Sequence, residues 1–375
     1  MDNVTHTLFA LTLARTPLGR GGRGTTAALV LASNAPDIDI VATLGGSANY
    51  LTWHRGPTHG PLGIVGLGVL TAALVWLGRR VLDSMRPEPK RQPLGLPSLT
   101  LSPGKPDPTD DVATSDGASL TRDAPFATLI IISVIGVLLH ILMDLPTSYG
   151  TRLLSPFSWR WYAMDLMPII DVYLWMILAA GLLAGSWRPR ARQRSAAIAL
   201  ALMAANYGIR VAAHQEALAA AAQVYGPTLP APCDRSAAFG SLLDSWPHAG
   251  GSNCLVDTAA IPSFGSPFEW RIIAQLPDEY VEISGNDAAR IANRWTPQVL
   301  AAARTRTAQV LLGFSRFPVA WEFARPSGGA TVQFTDMRFA MGLANRPVQA
   351  GRSALFTVTV AVGPRNEILE ERLGE

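Results

Sequence analysis

The sequence predicts an α-helical polytopic membrane bundle of about six helices, followed by a small soluble α+β domain rich in antiparallel strand. Three observations carry this. The chain is 49% hydrophobic and only 16% charged, where an average soluble chain carries roughly 25% charged residues. The charge deficit is concentrated in long apolar runs that end near residue 213. After that point the runs become short and alternate in polarity. The boundaries that follow are a helical membrane domain over 1–213 and an α+β domain over 214–375.

The N-terminal segments 3–18 and 25–44 read as a helical hairpin around the turn Gly19-Arg20-Gly21-Gly22-Arg23-Gly24, with Pro36 interrupting the second arm. Both arms are short, so the first is expected to be only partly embedded. A membrane helix needs about 20 mostly apolar residues. The runs at 61–78, 127–145 and 169–186 meet that length, and 195–213 does so with less margin because of Asn206 and Arg210. Residues 86–124 are rich in Pro, Ser, Asp and Lys without helical period and read as a disordered cytoplasmic loop. In the second domain, strands are expected at 270–275, 308–313, 319–323, 330–335 and 354–362, the last from the alternation of Phe356, Val358 and Val360 with Thr357 and Thr359. One helix is expected at 286–303, capped by Asn286 or Asp287.

The net charge of +3 is small and no basic stripe is present, so nucleic acid is not an expected partner. A basic, cleavable leader is not visible at the N-terminus. Arginine and lysine cluster at 15–23, 79–91 and 188–194, whereas the stretches 45–60 and 147–167 hold only Arg55, Arg152 and Arg160. With six helices, all three clusters fall on one side, which the positive-inside rule makes cytoplasmic. The expected location is therefore the plasma (inner) membrane, multi-pass, with the C-terminal domain extracytoplasmic. Cys233 and Cys254 are the only cysteines. They form a disulfide if that domain is exported, or stay as two free thiols.

That topology, built from Lys and Arg alone, brings a set of metal-ligand side chains to one level. His6 lies at the outer end of the first helix, Asp37 and Asp39 at that of the second, and His54 and His59 in the following loop. His140 and Asp144 lie at the outer end of the fourth. Ionisable groups at the edge of lipid are costly and point to function. His140 and Asp144 are four residues apart and share a helix face. Asp37 and Asp39 flank Ile38 after Pro36 and either ligate directly or bridge two metals. His54 and His59 bracket a Gly-Pro turn. Nitrogen and oxygen ligands together suit a divalent ion, zinc first, with manganese or iron as alternatives. Arg55 either holds an anionic oxygen in a bidentate grip or anchors to a lipid headgroup. Asp171 is read as a helix cap, Asp165 as an orienting partner or a simple loop acid, and His214 and His248 as solvated residues.

These residues carry a resemblance. Thr5-His6, Pro36-Asp37-Ile38-Asp39, His54-Arg55-Gly56-Pro57-Thr58-His59, His140-Ile141-Leu142-Met143-Asp144 and the stretch from Tyr149 to Phe157 resemble the YdjM-like family over about residues 1–190. Gly60 stands where that family's motif usually has Ser. The resemblance implies a membrane-bound, metal-dependent hydrolase, distantly similar to zinc-dependent phospholipases C. That similarity favours phosphoester hydrolysis, and the first reading is a substrate that is a phospholipid or another amphipathic ester, with Asp37 or Asp39 as ligand or base and Arg55 stabilising negative charge. Two alternatives compete: a non-enzymatic metal-binding or transport protein, and a membrane-anchored sensor or scaffold whose working part is the C-terminal domain.

Overall fold

The computed structural model describes residues 1–85, 122–224, 230–231, 233, 254–277, 279–285, 287–340 and 356–374. Of the loop expected at 86–124, residues 86–121 lie outside the described residues, as does His248, while Arg122 and Ala124 are held by backbone hydrogen bonds to Arg23.

The membrane half begins with α1 (Asn3–Leu13), whose free amides are capped by the Asp2 carboxylate accepting from Val4 and Thr5, both at 3.0 Å. Helix α2 (Thr25–Ala32) is shorter than the apolar run that encodes it. Asn34 donates back to the Val30 carbonyl at 2.8 Å, and Pro36 has no amide to continue the ladder. The chain therefore tightens into a 3-10 turn over Ala35–Gly45, bent from α2 by 40°. After α3 (Ser47–Trp53) and a 3-10 turn at Pro57–His59 come α4 (Pro61–Ser84), α5 (Phe126–Asp144), α6 (Val172–Trp187) and α7 (Arg192–Val224).

Among the described residues, three segments are long and apolar enough to cross a membrane: Pro61–Ser84, Phe126–Asp144 and Pro189–Ala221. The bent pair Thr25–Ala32 and Ala35–Gly45 makes a fourth if it is one broken span. Helix α6, with 16 residues, and α1, with 11, fall short; at 1.5 Å per residue, 11 residues reach about 16 Å of the roughly 30 Å of hydrocarbon.

The buried stripe of α5 runs through Leu129, Ile132, Ser133, Gly136 and Val137, then continues one turn further as His140, Ile141 and Asp144. The face that packs the bundle thus delivers two ligand-type side chains at its end. Asp171 caps α6, accepting from Tyr173 and Leu174 at 2.9 and 3.0 Å, and its other oxygen lies 2.7 Å from Arg210 of α7. A buried charge pair of this kind is tolerable because each partner neutralises the other. At the opposite end from the His/Asp residues, the basic clusters meet: Arg23 pairs with Asp83 and Asp123, and Arg20 reaches Gln193 at 2.5 Å.

The C-terminal half holds two four-stranded antiparallel sheets. The first is β1 (Asp257–Pro262), β2 (Trp270–Gln275), β3 (Glu279–Ser284) and β4 (Asp287–Ala292). The second is β5 (Pro318–Ala324), β6 (Ala330–Asp336), β7 (Val358–Val362) and β8 (Ile368–Leu373). Helices α8 (Pro297–Ala303) and α9 (Arg306–Phe314) lie between them in sequence and pack on the second sheet, sharing a core with Val332, Phe334, Val358 and Val360. Cys233 and Cys254 are joined by a disulfide, which decides between the two alternatives for these thiols.

Two expectations for this half are corrected. The helix expected at 286–303 is instead strand β4 followed by α8. The chain turns at Gly285, φ +60°, and pairs Ser284 with Asp287 and Glu279 with Ala292; the dipeptide Gly285-Asn286 is itself a hairpin signal. The helix begins only at Pro297, behind Thr296, whose hydroxyl accepts from Val299 at 3.2 Å. The strand expected at 308–313 is helix α9, with Ala308, Leu311 and Leu312 on its buried face. That spacing is helical, and a short unbroken apolar run does not separate the two states.

Leu51 of α3 and Tyr149 of the loop after α5 are buried in the same apolar cluster as α8, α9 and the second sheet. Arg316 adds a polar tie, donating to Asp165 at 2.5 Å and to Asp257 at 2.9 Å. The C-terminal half therefore sits on the end of the bundle that carries the His/Asp residues.

Candidate metal centre

Four side chains converge at that end. One ligand atom from each of Asp37, His59, His140 and Asp144 lies within 4.8 Å of every other. The individual separations are tighter: His59 Nε2 to His140 Nε2 is 3.3 Å, and Asp144 Oδ2 is 3.4 Å from both. Asp37 Oδ1 is 3.6 Å from His140 Nε2 and 3.8 Å from His59 Nε2. Ligands at about 2.0–2.1 Å from one tetrahedral ion stand about 3.3–3.4 Å apart. His59, His140 and Asp144 already have that spacing, and Asp37 stands slightly wider.

The hydrogen bonds around the two imidazoles assign their lone pairs. His140 Nδ1 lies 2.8 Å from the Ser33 carbonyl, which can only accept, so this nitrogen carries the proton. His59 Nδ1 lies 3.0 Å from the Thr58 hydroxyl, which in turn donates to Asp39 at 3.2 Å. Both Nε2 atoms are then bare lone pairs facing each other across 3.3 Å, with two carboxylates beside them. Two lone pairs so close repel each other unless an electron-pair acceptor lies between them, and both rings have the orienting contacts that metal-bound histidines usually show. Asp144 Oδ1 is paired with the Met1 amino group and Arg55, whereas Oδ2, facing the two imidazoles, has no hydrogen-bond donor among the described residues.

The remaining expected residues fall around this set. His6 is fully buried, stacked on His140 with ring centroids 3.8 Å apart. Its Nε2 is 3.4 Å from Asp144 Oδ1, and neither ring nitrogen has a hydrogen-bond partner among the described residues. The Met1 amino group also pairs with Asp144 Oδ1. Asp39 lies outside the four-atom set. Its carboxylate accepts from His54 Nδ1 at 2.9 Å, from the Arg55 amide at 2.7 Å and from Thr58. His54 likewise stands outside, stacked on Tyr50; burial lowers its pKa against the pull of Asp39. Arg55 is 4% exposed, which excludes a headgroup anchor. Its guanidinium lies 3.3 Å from Asp144 Oδ1, donates to the Gly150 carbonyl at 2.7 Å and sits over the Tyr149 ring at 4.8 Å. Arg55 has φ +51°, a left-handed conformation that non-glycine residues rarely adopt and that marks functional turns. Asp171 and Asp165 are both engaged elsewhere, with Arg210 and Arg316, and His214 stands edge-on to Trp270, half-buried. Burial raises the Asp165 pKa in spite of Arg316 and Arg338.

Sequence reasoning missed Ser33, Thr58 and Gly150. Thr58 sits inside the His54–His59 motif and was open to recognition. Ser33 and Gly150 act through backbone carbonyls, which any residue supplies. The departure at Gly60 has a steric cause: a Cβ there would stand 1.7 Å from the Ser155 carbonyl oxygen.

Fold and cluster together define a class: a helical membrane protein with a buried His/Asp ligand set at one end of its bundle. The family described as YdjM inner membrane protein matches residues 1–217, more than half of the chain, and the chain belongs to that family. The curated "Uncharacterized protein YfhP" of Bacillus subtilis (strain 168) is 24% identical over 149 residues, which is 40% of this chain and 33% of that protein. The matched stretch is thus about a third of that relative's length. No solved structure matches the chain.

Two outcomes are expected. Asp39→Asn removes the anionic acceptor that orders the His54–His59 loop, and metal affinity measured by chelator competition should fall about 10–100-fold; unchanged affinity would mean the loop holds its shape without that charge. Gly60→Ser forces a side chain against the Ser155 carbonyl and should cost about 1–3 kcal/mol as an overpacked site, read as a lower unfolding temperature in detergent.

Proposed function

We propose that this chain is a metal-dependent hydrolase of the inner membrane that acts on an amphipathic ester, a phosphoester foremost, at the outer membrane–water boundary. The observation that carries this reading is the convergence of Asp37, His59, His140 and Asp144, three of them buried, with ligand atoms within 4.8 Å of one another at the end of a membrane bundle. These four residues hold the ion, zinc first and manganese or iron as alternatives, because mixed imidazole and carboxylate donors suit those metals. With a position left open on the more exposed Asp37 side, a divalent ion there would supply a Lewis acid and lower the pKa of a water to about 7.

The chain's own residues supply the rest. Asp37 is the one member of the set with appreciable exposure, its side chain 15% accessible against 0% for His59, His140 and Asp144. The approach to the centre therefore passes Asp37, which is placed to take or orient a proton there. Asp39 holds three donors already and serves to orient the loop. The Arg55 guanidinium, 3.3 Å from Asp144, contributes fixed positive charge where an anionic oxygen develops. The exposed neighbours of Asp37 on the 3-10 turn are Ile38, Ile40, Val41 and Leu44. A substrate that slides over these side chains to reach a charged centre needs an apolar tail and an anionic head, which favours a membrane lipid over a soluble ester.

Orientation follows from the basic end of the bundle, where Arg20, Arg23 and Arg79 gather with the start of α7. We place that end in the cytoplasm, with six helical segments running between the two ends, α1 and α6 too short to span by themselves. The disulfide between Cys233 and Cys254 is consistent with an exported C-terminal domain.

The chain purified in detergent should carry about one ion per molecule, as a single four-ligand site holds. Asp37→Ala and His59→Ala should each lose that ion, and a mixed phospholipid substrate should be cleaved by the loaded parent protein alone. Metal content unchanged in both variants would refute the site; full metal with no hydrolysis across phospho- and carboxyl-ester lipids would refute the enzyme reading. Separately, a periplasmic-type reporter fused after residue 375 should be active, and a cytoplasmic reporter there silent; the reverse pattern would overturn the orientation.

A further inference from the structure

The C-terminal domain touches the metal centre through a short and continuous series of contacts. It starts at Arg338, a buried residue just after β6. Its guanidinium is clamped by Asp336, with Nη2 and Nε donating at 2.8 and 3.0 Å, and is braced by the Phe314 carbonyl at 3.2 Å. The free arm of the fork, Nη1, donates to the Ser148 carbonyl at 2.7 Å, across the boundary between the two halves. The next residue, Tyr149, is caged by Phe314, Phe339 and Phe356 of the C-terminal domain, at centroid distances of 5.0, 6.0 and 5.8 Å. The one after, Gly150, accepts the Arg55 hydrogen bond, and the face of Tyr149 carries the Arg55 guanidinium. Arg55 then meets Asp144. Gly150 has φ +74°, and a Cβ there would strike the Tyr162 carbonyl at 2.2 Å, so this stretch has little freedom to find another course.

Each link is a specific contact. A planar guanidinium reads two directions at once, carboxylate on one edge and carbonyl on the other, and lysine cannot reproduce that fork. The aromatic cage fixes the plane of Tyr149, hence the surface on which Arg55 rests. The Asp165–Arg316–Asp257 bridge ties the two halves a second time, outside this series.

We propose that the C-terminal domain is a positioning clamp for the metal centre, in which Arg338 fixes the Ser148–Gly150 segment and thereby sets Arg55 on Asp144. Arg338 is a positioning residue: it touches neither ligand nor reacting atom, and works through backbone and ring. The family match ends at residue 217, so this role belongs to the part of the chain outside it. The proposal rests on the metal reading above only for its second measurement.

The test uses the full-length chain in nanodiscs, with Arg338→Gln and, on the membrane side of the boundary, Asp165→Asn. The first measurement needs no metal: hydrogen exchange of the amides of Thr151 and Arg152, which bond to Tyr162 and Arg55, and of Gly56, which bonds to Trp53. These should exchange at least about 10-fold faster in Arg338→Gln, with the amides of α4 and α5 unchanged, since a released segment opens locally. The second titrates cobalt(II) alone and follows its visible spectrum. Arg338→Gln should bind it about 10-fold more weakly with an altered band shape, as loss of an orienting partner does, and Arg338→Lys should not restore the band. Asp165→Asn should show the same changes, smaller. Unaltered exchange at 56 and 151–152 overturns the clamp, whether or not the C-terminal sheets themselves stay folded. If Arg338→Gln unfolds the whole chain, the same readings on Arg338→Lys decide. A parent protein that takes up no cobalt(II) refutes the metal reading, and the exchange result still decides the clamp.

Discussion

One carboxylate organises the centre without belonging to it. Asp39 accepts from His54, from the Arg55 amide and from Thr58, and so folds the stretch between α3 and α4 onto the 3-10 turn that carries Asp37. Hydrogen bonds to a charged acceptor in a buried setting are the strong ones. Three of them on one side chain outweigh the strain of Arg55 in a left-handed conformation. With the loop so fixed, His59 faces α5, where His140 and Asp144 are already presented by the packing of that helix. Without it, Asp37 and His59 would belong to two unconnected loops.

The centre is also where the membrane half meets its greatest electrostatic cost. Histidines, carboxylates and an arginine are withdrawn together from water, each expensive alone. The arrangement offsets that cost by interleaving signs: Arg55 against Asp144, His54 against Asp39, and imidazole nitrogens between Asp37 and Asp144. Docking the C-terminal domain on this end removes still more solvent. Tyr149 shows the effect, its phenol pushed above the ordinary tyrosine range by burial, and Arg152, between Trp159 and Trp161, is drawn down to about 10 by the same cause. Fixed charges act most strongly in such a dry setting.

Much of this was legible from residue order alone. Apolar runs located α4, α5 and α7, and the i, i+4 spacing of His140 and Asp144 put both on one face. Basic clusters, counted without reference to any ligand, separated the two ends of the bundle. What escaped had local causes. The division of labour between Asp37 and Asp39 depends on which way each side chain leaves a 3-10 turn, and no period in the sequence encodes that. Helix α9 escaped because Val310 to Phe314 is apolar enough to satisfy either repeat, and β4 because its hairpin turn was read as a helix cap. The contact from Arg338 to Ser148 links positions 190 residues apart, and pairings at that range leave no trace in a single sequence.

The end of α5 has a consequence for how this chain can change length. His140 and Asp144 are held in phase by one helical turn, while the same helix is keyed upstream by Leu129, Ile132 and Val137. One residue inserted between those keys and His140 would turn both ligands by about 100° and advance them by about 1.5 Å, carrying them out of the cluster. The stretch from α5 to its last aspartate is therefore a ruler of fixed length, closed to insertion and deletion. Variation in the size of such chains has to be accommodated where no phase is kept.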